Sequence, residues 1–391
     1  MISEPRILLF DAASDRGGLF ATRLSERGVS IRRLAISKSP SPNDLRRADV
    51  AVIVPAADTE PSAELIEALA ARRIAALIWG QAKPQGGDTS WISHVPADTP
   101  LDEIIGRLDT LTRYAPIVRR LDRDLREVER VGRQLSRHFD QMDQEMRMAG
   151  RLQRDLLPAK LPIRSSLRFA QLYRPATWVS GDFYDIFDID ETTIGVFQGD
   201  AMGHGAAAAL ITMFLRQAME PVREVDGTRT IVPPQQVLEK MHNALARQDL
   251  PNAQFVTACY AVVNAATRQM ALARGGHPHP IRIAPNGAMS VIEVDGGLMG
   301  LSEIDPGIES RTVSLEPGEK VVFFTDGIED LLIDKNAESP SGAPVFTSLM
   351  QEWALLSADR IVEAVDRYLD GSEGSLNPED DVTILVLEFL P

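Results

Sequence analysis

The chain has 391 residues, 44% hydrophobic and 25% charged, enough for more than one core and more than one domain. Fifty-six acidic residues against 41 basic ones leave a formal charge of −15, which argues against nucleic acid as a principal partner, because a phosphate backbone calls for an excess of Lys and Arg. A single cysteine, Cys259, excludes an internal disulfide framework. No run approaches the ~20 apolar residues of a membrane helix, so a cytoplasmic protein without membrane contact is expected.

Short apolar strands alternate with amphipathic helices over the first hundred or so residues. Ile7 to Phe10 reads as a strand, Leu19 to Arg27 as a helix closed by Gly28, and Val50 to Val54 as a second clear strand. Ala63 to Arg72 follows as a helix and Ile74 to Ile78 as a third clear strand, before a helical face at Leu101, Ile104, Ile105, Leu108 and Leu111. Buried strands alternating with helices predict a doubly wound parallel sheet covered on both sides. Order and size resemble a response-regulator receiver domain over residues 1–112. The chemistry of that family is degenerate here. Asp11 survives at the end of the first strand, Val54-Pro55 stands where the phosphoacceptor belongs, and Trp79-Gly80 where a hydroxyl belongs. Trp91 to Pro96 supplies no lysine, and Asp58 is the one displaced acceptor candidate. The domain is expected to work through contacts.

Residues 113–157 predict a linker helix with a coiled-coil seam. From Leu111 the seam runs through Tyr114, Val118, Leu121, Leu125, Val128, Gly132, Leu135, Phe139, Met142, Met146, Ala149, Gln153 and Leu156. The steps of three and four persist for about six heptads. A lone helix of this kind leaves an apolar stripe in water, so a parallel homodimer is expected. Pro158 ends the helix, because the residue before a proline avoids helical backbone.

Residues 158–391 carry four aspartate motifs. They are Ser180-Gly181-Asp182-Phe183-Tyr184-Asp185, Gly199-Asp200-Ala201-Met202-Gly203-His204-Gly205, Thr325-Asp326-Gly327 and Asp380-Asp381-Val382-Thr383. Three adjoin apolar runs, at 193–197, 321–324 and 384–387. Carboxylates in glycine-rich turns at strand ends can converge while the backbone approaches closely. Such a group repels itself unless it holds a hard cation, and all-oxygen ligands select magnesium or manganese over zinc. Two such ions suit phosphomonoester hydrolysis. Cys259, in the strand-like run 255–263, reads as a small core residue.

From Gln153 to Leu390 the sequence resembles the SpoIIE/RsbU branch of the PPM-class metal-dependent protein serine/threonine phosphatases. The resemblance rests on Gln153-Arg154-Asp155-Leu156-Leu157-Pro158, Tyr173-Arg174-Pro175-Ala176, the four aspartate motifs and the helix at 203–210. Phe255-Val256-Thr257, Gly275-Gly276-His277-Pro278 and Leu298-Met299-Gly300-Leu301 also fit. The resemblance implies an α+β fold of two packed antiparallel sheets flanked by helices, with two Mn2+ or Mg2+ ions at one end. It implies that Asp200 is shared by both ions, that the Ala201 carbonyl is a further ligand, that Asp326 and Asp380 serve the first ion, and that Asp182 serves the second. Asp381 ranks below Asp380, Asp185 is an outer-shell candidate, Arg174 a candidate phosphate contact, and His204 and His277 are read as structural. The implied substrate is a phosphorylated STAS-type anti-anti-sigma protein in a partner-switching pathway. A non-catalytic phosphoprotein-binding scaffold and a hydrolase of small phosphoesters remain the alternatives.

Overall fold

The computed structural model describes residues 6–12, 15–36, 40–46, 48–55, 60–80, 91–203, 205–251, 254–335, 337, 343–371 and 380–391. Asp58 and His204 fall outside them. The chain divides into two compact units, Met1–His138 and Phe139–Pro391.

The first unit contains β1 (Arg6–Asp11), α1 (Asp15–Glu26), β2 (Ser30–Ala35), α2 (Pro42–Arg46), β3 (Val50–Val54), α3 (Ala63–Ala70), β4 (Ala75–Trp79), β5 (Ile92–Val95) and the start of α4 (Leu101–Asp155). Its five strands form one parallel sheet in the order β2-β1-β3-β4-β5, a doubly wound order. Every residue of β3 and β4 is buried, as a sheet covered on both faces requires. One face packs Leu9, Val52 and Leu77 against Phe20 of α1 and Ile104 and Leu108 of α4, while the other packs Phe10, Ile53 and Ile78 against Leu65 and Leu69 of α3.

Asp11 does not read here as a cation ligand. Arg33 of β2 donates to its carboxylate through Nε at 3.0 Å and through a second guanidinium nitrogen. A cation of the same sheet thus occupies the acid that survives at the end of the first strand.

The second unit contains the end of α4, then β6 (Leu167–Arg174), β7 (Asp182–Asp188), β8 (Thr193–Ala201), α5 (Ala206–Ala218), β9 (Val222–Val225), β10 (Thr228–Ile231), α6 (Pro234–Ala246), β11 (Val256–Asn264) and β12 (Gln269–Gly275). β13 (Ile281–Ile283), β14 (Met289–Val291), β15 (Ser310–Ser314), β16 (Lys320–Phe324), a 3-10 turn at Asp326–Ile328, α7 (Glu329–Leu332), α8 (Ser348–Trp353), α9 (Ala358–Gly371) and β17 (Val382–Phe389) follow. Two five-stranded antiparallel sheets, ordered β15-β12-β11-β8-β7 and β14-β13-β16-β17-β6, stack face to face. Alternate residues, among them Tyr184, Val196, Cys259, Phe323 and Leu385, fill the space between them. The opposite face of the first sheet receives α5 and α6, and that of the second receives α8 and α9. Burial among these apolar neighbours pushes the Cys259 thiol up to about 12, so it is a core residue, not a nucleophile. Among the described residues no helix is long and apolar enough to cross a membrane.

Candidate metal centre

β7 and β8 pair so that Asp182 stands opposite Asp200, and β8 pairs with β11 so that Asp200 stands opposite Thr257. Residues opposite one another share a face, so these three form a row near one end of the first sheet. The neighbouring positions Phe183 and Ala201 pack in the core beneath α5 and α6. Strand alternation therefore turns Asp182 and Asp200 toward the second sheet.

That sheet answers with Thr325 and Asp326 after β16 and with Asp380, Asp381 and Thr383 around the start of β17. Asp182 is buried, and its Oδ2 accepts hydrogen bonds from Thr325 Oγ1 at 2.8 Å and Thr383 Oγ1 at 2.6 Å. Asp381 is also buried. Its Oδ1 accepts from the Ala176 amide and its Oδ2 from the Gly181 amide, both at 2.7 Å. Asp381 thus clamps the loop leading into β7. Asp326 and Asp380 are exposed at the rim.

The electrostatics report how these groups sense one another. Burial, followed by the charges of Asp326, Asp380 and Asp381, pushes Asp200 up to about 8. Asp182 is raised well above the usual carboxylate range by burial and then by the Asp200 charge, against the pull of its two hydroxyl donors. Asp326 is raised by burial and by Asp380. Among the described residues no three His, Cys, Asp or Glu side chains stand in the geometry of a finished ion cage. The donor set nevertheless fits a divalent ion, being entirely oxygen with several anionic members and no compensating cation found among the groups that shift Asp200. Gly181 keeps the corner open: a Cβ there would stand 2.7 Å from the Ala201 carbonyl oxygen and 3.2 Å from Asp200 Oδ1.

Several candidates fall elsewhere. Asp185 lies on the helix-facing side of β7, where Arg216 of α5 approaches it at 2.8 Å, so it anchors α5 instead of supporting the carboxylate end. Arg174 forms ion pairs with Asp366 and Asp370 of α9. Burial, with Arg274 adding to it, lowers His277 to about 3, so the ring is neutral; its Nδ1 lies 2.9 Å from Thr257 Oγ1. Thr325 and Thr383 were visible as part of the aspartate motifs, but their role as cross-sheet donors depends on the pairing of β16 with β17.

Gln153 is the residue whose role sequence alone did not reveal. It is buried, donates from Nε2 to the Ser180 carbonyl at 2.7 Å, and accepts the Ser180 amide at Oε1 at 2.9 Å. The same Nε2 lies 3.4 Å from Thr212 Oγ1 on α5. Nearby, Trp178 Nε1 donates to Asp143 at 2.7 Å, and the Arg147 guanidinium stands 4.0 Å over the Trp178 ring. A Cβ on Gly150 would overlap the Trp178 carbonyl oxygen. The last turns of α4 are thereby fastened to loop 175–181, whose two ends Asp381 holds.

A two-sheet sandwich with helices outside and a carboxylate row at one end defines a PPM-class protein serine/threonine phosphatase domain. The Stage II sporulation protein E (SpoIIE) family matches residues 190–390. The chain belongs to that family. It is 28% identical over 245 residues to the phosphoserine phosphatase RsbU of Bacillus subtilis (strain 168), covering 62% of this chain and 69% of that protein. It is 25% identical over 186 residues to the phosphoserine phosphatase RsbP of the same organism, covering 48% of this chain but only 45% of the relative. Among solved structures, the SiaA-PP2C domain of Pseudomonas aeruginosa shares the fold, with a TM-score of 0.51 at 22% identity over 64% of this chain and 98% of that one.

Proposed function

We propose that the chain is a divalent-metal-dependent phosphatase acting in the cytoplasm on a phosphoserine or phosphothreonine of a STAS-type anti-anti-sigma protein, as the family resemblance implies. The observation that carries the chemistry is the convergence of acids at one end of the sandwich, with Asp182 opposite Asp200 across β7 and β8 and Asp326, Asp380 and Asp381 close enough to add their charge at Asp200. Asp200 and the Ala201 carbonyl, with Asp182, Asp326 and Asp380, would hold two ions, Mn2+ or Mg2+. Bound there, the ions would neutralise phosphoryl charge and supply a nucleophile from water. The protein's own part is placement: Thr325 and Thr383 fix Asp182, Asp381 fixes the approach to β7, and the exposed rim at Asp326 and Asp380 leaves a route for a protein-borne phosphate.

Regulation is proposed to run through α4. Leu121, Leu125, Val128, Leu135, Phe139 and Met142 are each more than half exposed, a stripe with the spacing of a dimer seam. A second copy of the chain is the fitting occupant, and a change in helix pairing would reach loop 175–181 and α5 through Gln153. The test is phosphate release from a phosphoserine STAS protein with manganese, comparing wild type with Asp326→Asn. Manganese-dependent turnover that falls about 100-fold in the variant is expected; turnover unaffected by the substitution or by chelation would overturn the metal reading.

A further inference from the structure

Past the end of β11 that carries Val256 lies a groove of about 340 Å3 whose lining includes none of the aspartates of the carboxylate end. One wall is the end of α6 and the residues after it, with Asp249 and Leu250; the other is the segment Gly300 to Ile304. Gln254 closes it on the side of β11. The groove is tied to the site by backbone alone. Phe255, next to Gln254, accepts the Met202 amide at 3.0 Å, and Val256 pairs with Ala201 on one side and Met299 on the other. The wall is held from behind by buried His242, whose Nδ1 accepts the Gly300 amide at 3.1 Å.

Its lining combines apolar and acidic groups. Ile304 is 55% exposed, and Leu250 and Leu301 are only partly covered. Asp249 and Glu303 are exposed beside them, with no cation within ion-pair distance of either among the described residues. An acidic rim repels a phosphate, so the groove is not a second phosphate site. It suits a basic side chain that follows an apolar one.

We propose that this groove docks the protein substrate by an apolar and basic stretch flanking its phosphoresidue. This rests on the phosphatase reading and adds to it a basis for choosing among phosphoproteins. An acidic patch attracts a basic stretch and repels an acidic one, and Gln254 at this patch is separated from β11 by Phe255 alone.

The probes are two fluorescein-labelled phosphoserine peptides, one flanked on both sides by Lys and Leu, the other by Glu and Leu. Their binding to the full chain is measured by polarisation, beside turnover of para-nitrophenyl phosphate with manganese. Wild type is expected to bind the basic peptide about tenfold more tightly, Glu303→Lys to lose about fivefold of that preference, and Ile304→Ala to weaken both peptides. Turnover of the small ester should not change in either variant. Equal binding of the two peptides by wild type, or a preference untouched by Glu303→Lys, would overturn the groove. Absent ester turnover with the binding preference intact would instead count against the phosphatase reading.

Discussion

At the scale of single residues, the carboxylate end is a place where stability is sacrificed. Asp200 keeps its proton in the folded chain up to about pH 8, whereas the unfolded carboxyl releases it near the ordinary value of 3.8. A folded state that binds more protons than the unfolded one loses stability as pH rises, here from about pH 4 to about pH 8. In chelator, Asp200→Asn should therefore be more stable than wild type by several kcal/mol at pH 8 and nearly equal to it at pH 4. Manganese should reverse the order by stabilising wild type more. Thermal melts at the two pH values, with chelator and with manganese, check this; a variant less stable than wild type in chelator at pH 8 would contradict it. The aspartates were legible because each motif carries its own turn or strand. The fates of Asp185 and Arg174 were not, since which face of β7 a residue occupies, and whether α9 offers two acids, are set by packing.

At the scale of elements, α4 is the long helix that the seam suggests. The sequence suggests a helical face ending near Leu111 and then a linker helix over 113–157; the two are continuous, one helix running from Leu101 to Asp155 with Pro116 inside it. The seam is also divided in its use. Leu111 packs against the core of the first unit, Gln153 is buried in the second, and the stripe from Leu121 to Met142 faces solvent. Replacing Leu125 and Leu135 together by Glu should abolish association while leaving both cores intact, and change the phosphatase rate. Sedimentation velocity with a rate assay checks both; a proven monomer with an unchanged rate would sink the coupling. β2 escaped notice because Ser-Ile-Arg-Arg-Leu-Ala has the half-polar pattern of an edge strand, with two of its three apolar residues only partly buried. The hairpin β9–β10 carried its own signal, Asp226-Gly227, with φ of 50° and 75° at the turn.

At the scale of the whole molecule, each unit has its own buried clusters: two around the parallel sheet, three in and around the sandwich. Domains with separate cores unfold separately unless a large apolar interface joins them. Calorimetry of the full chain should show two transitions, of which manganese raises only one, that of Phe139–Pro391. A single transition that manganese moves as a whole would show the units to be one cooperative body. The fold of both was largely legible, because strands buried on two faces and strands of a sandwich differ in apolar periodicity. Sheet order, and hence which strand ends meet, was not.

A shaft that slips in its bearing delivers no torque, whereas a keyed one does. At Gly150 the helix lies so close to the Trp178 carbonyl that no side chain fits between them, and Gln153 one turn later grips the same loop on two atoms. Under the regulation proposed above, axial twist imposed on α4 from its exposed stripe would therefore not be lost as sliding. It would arrive at loop 175–181 as rotation, in a sense set by the handedness of the helical pairing.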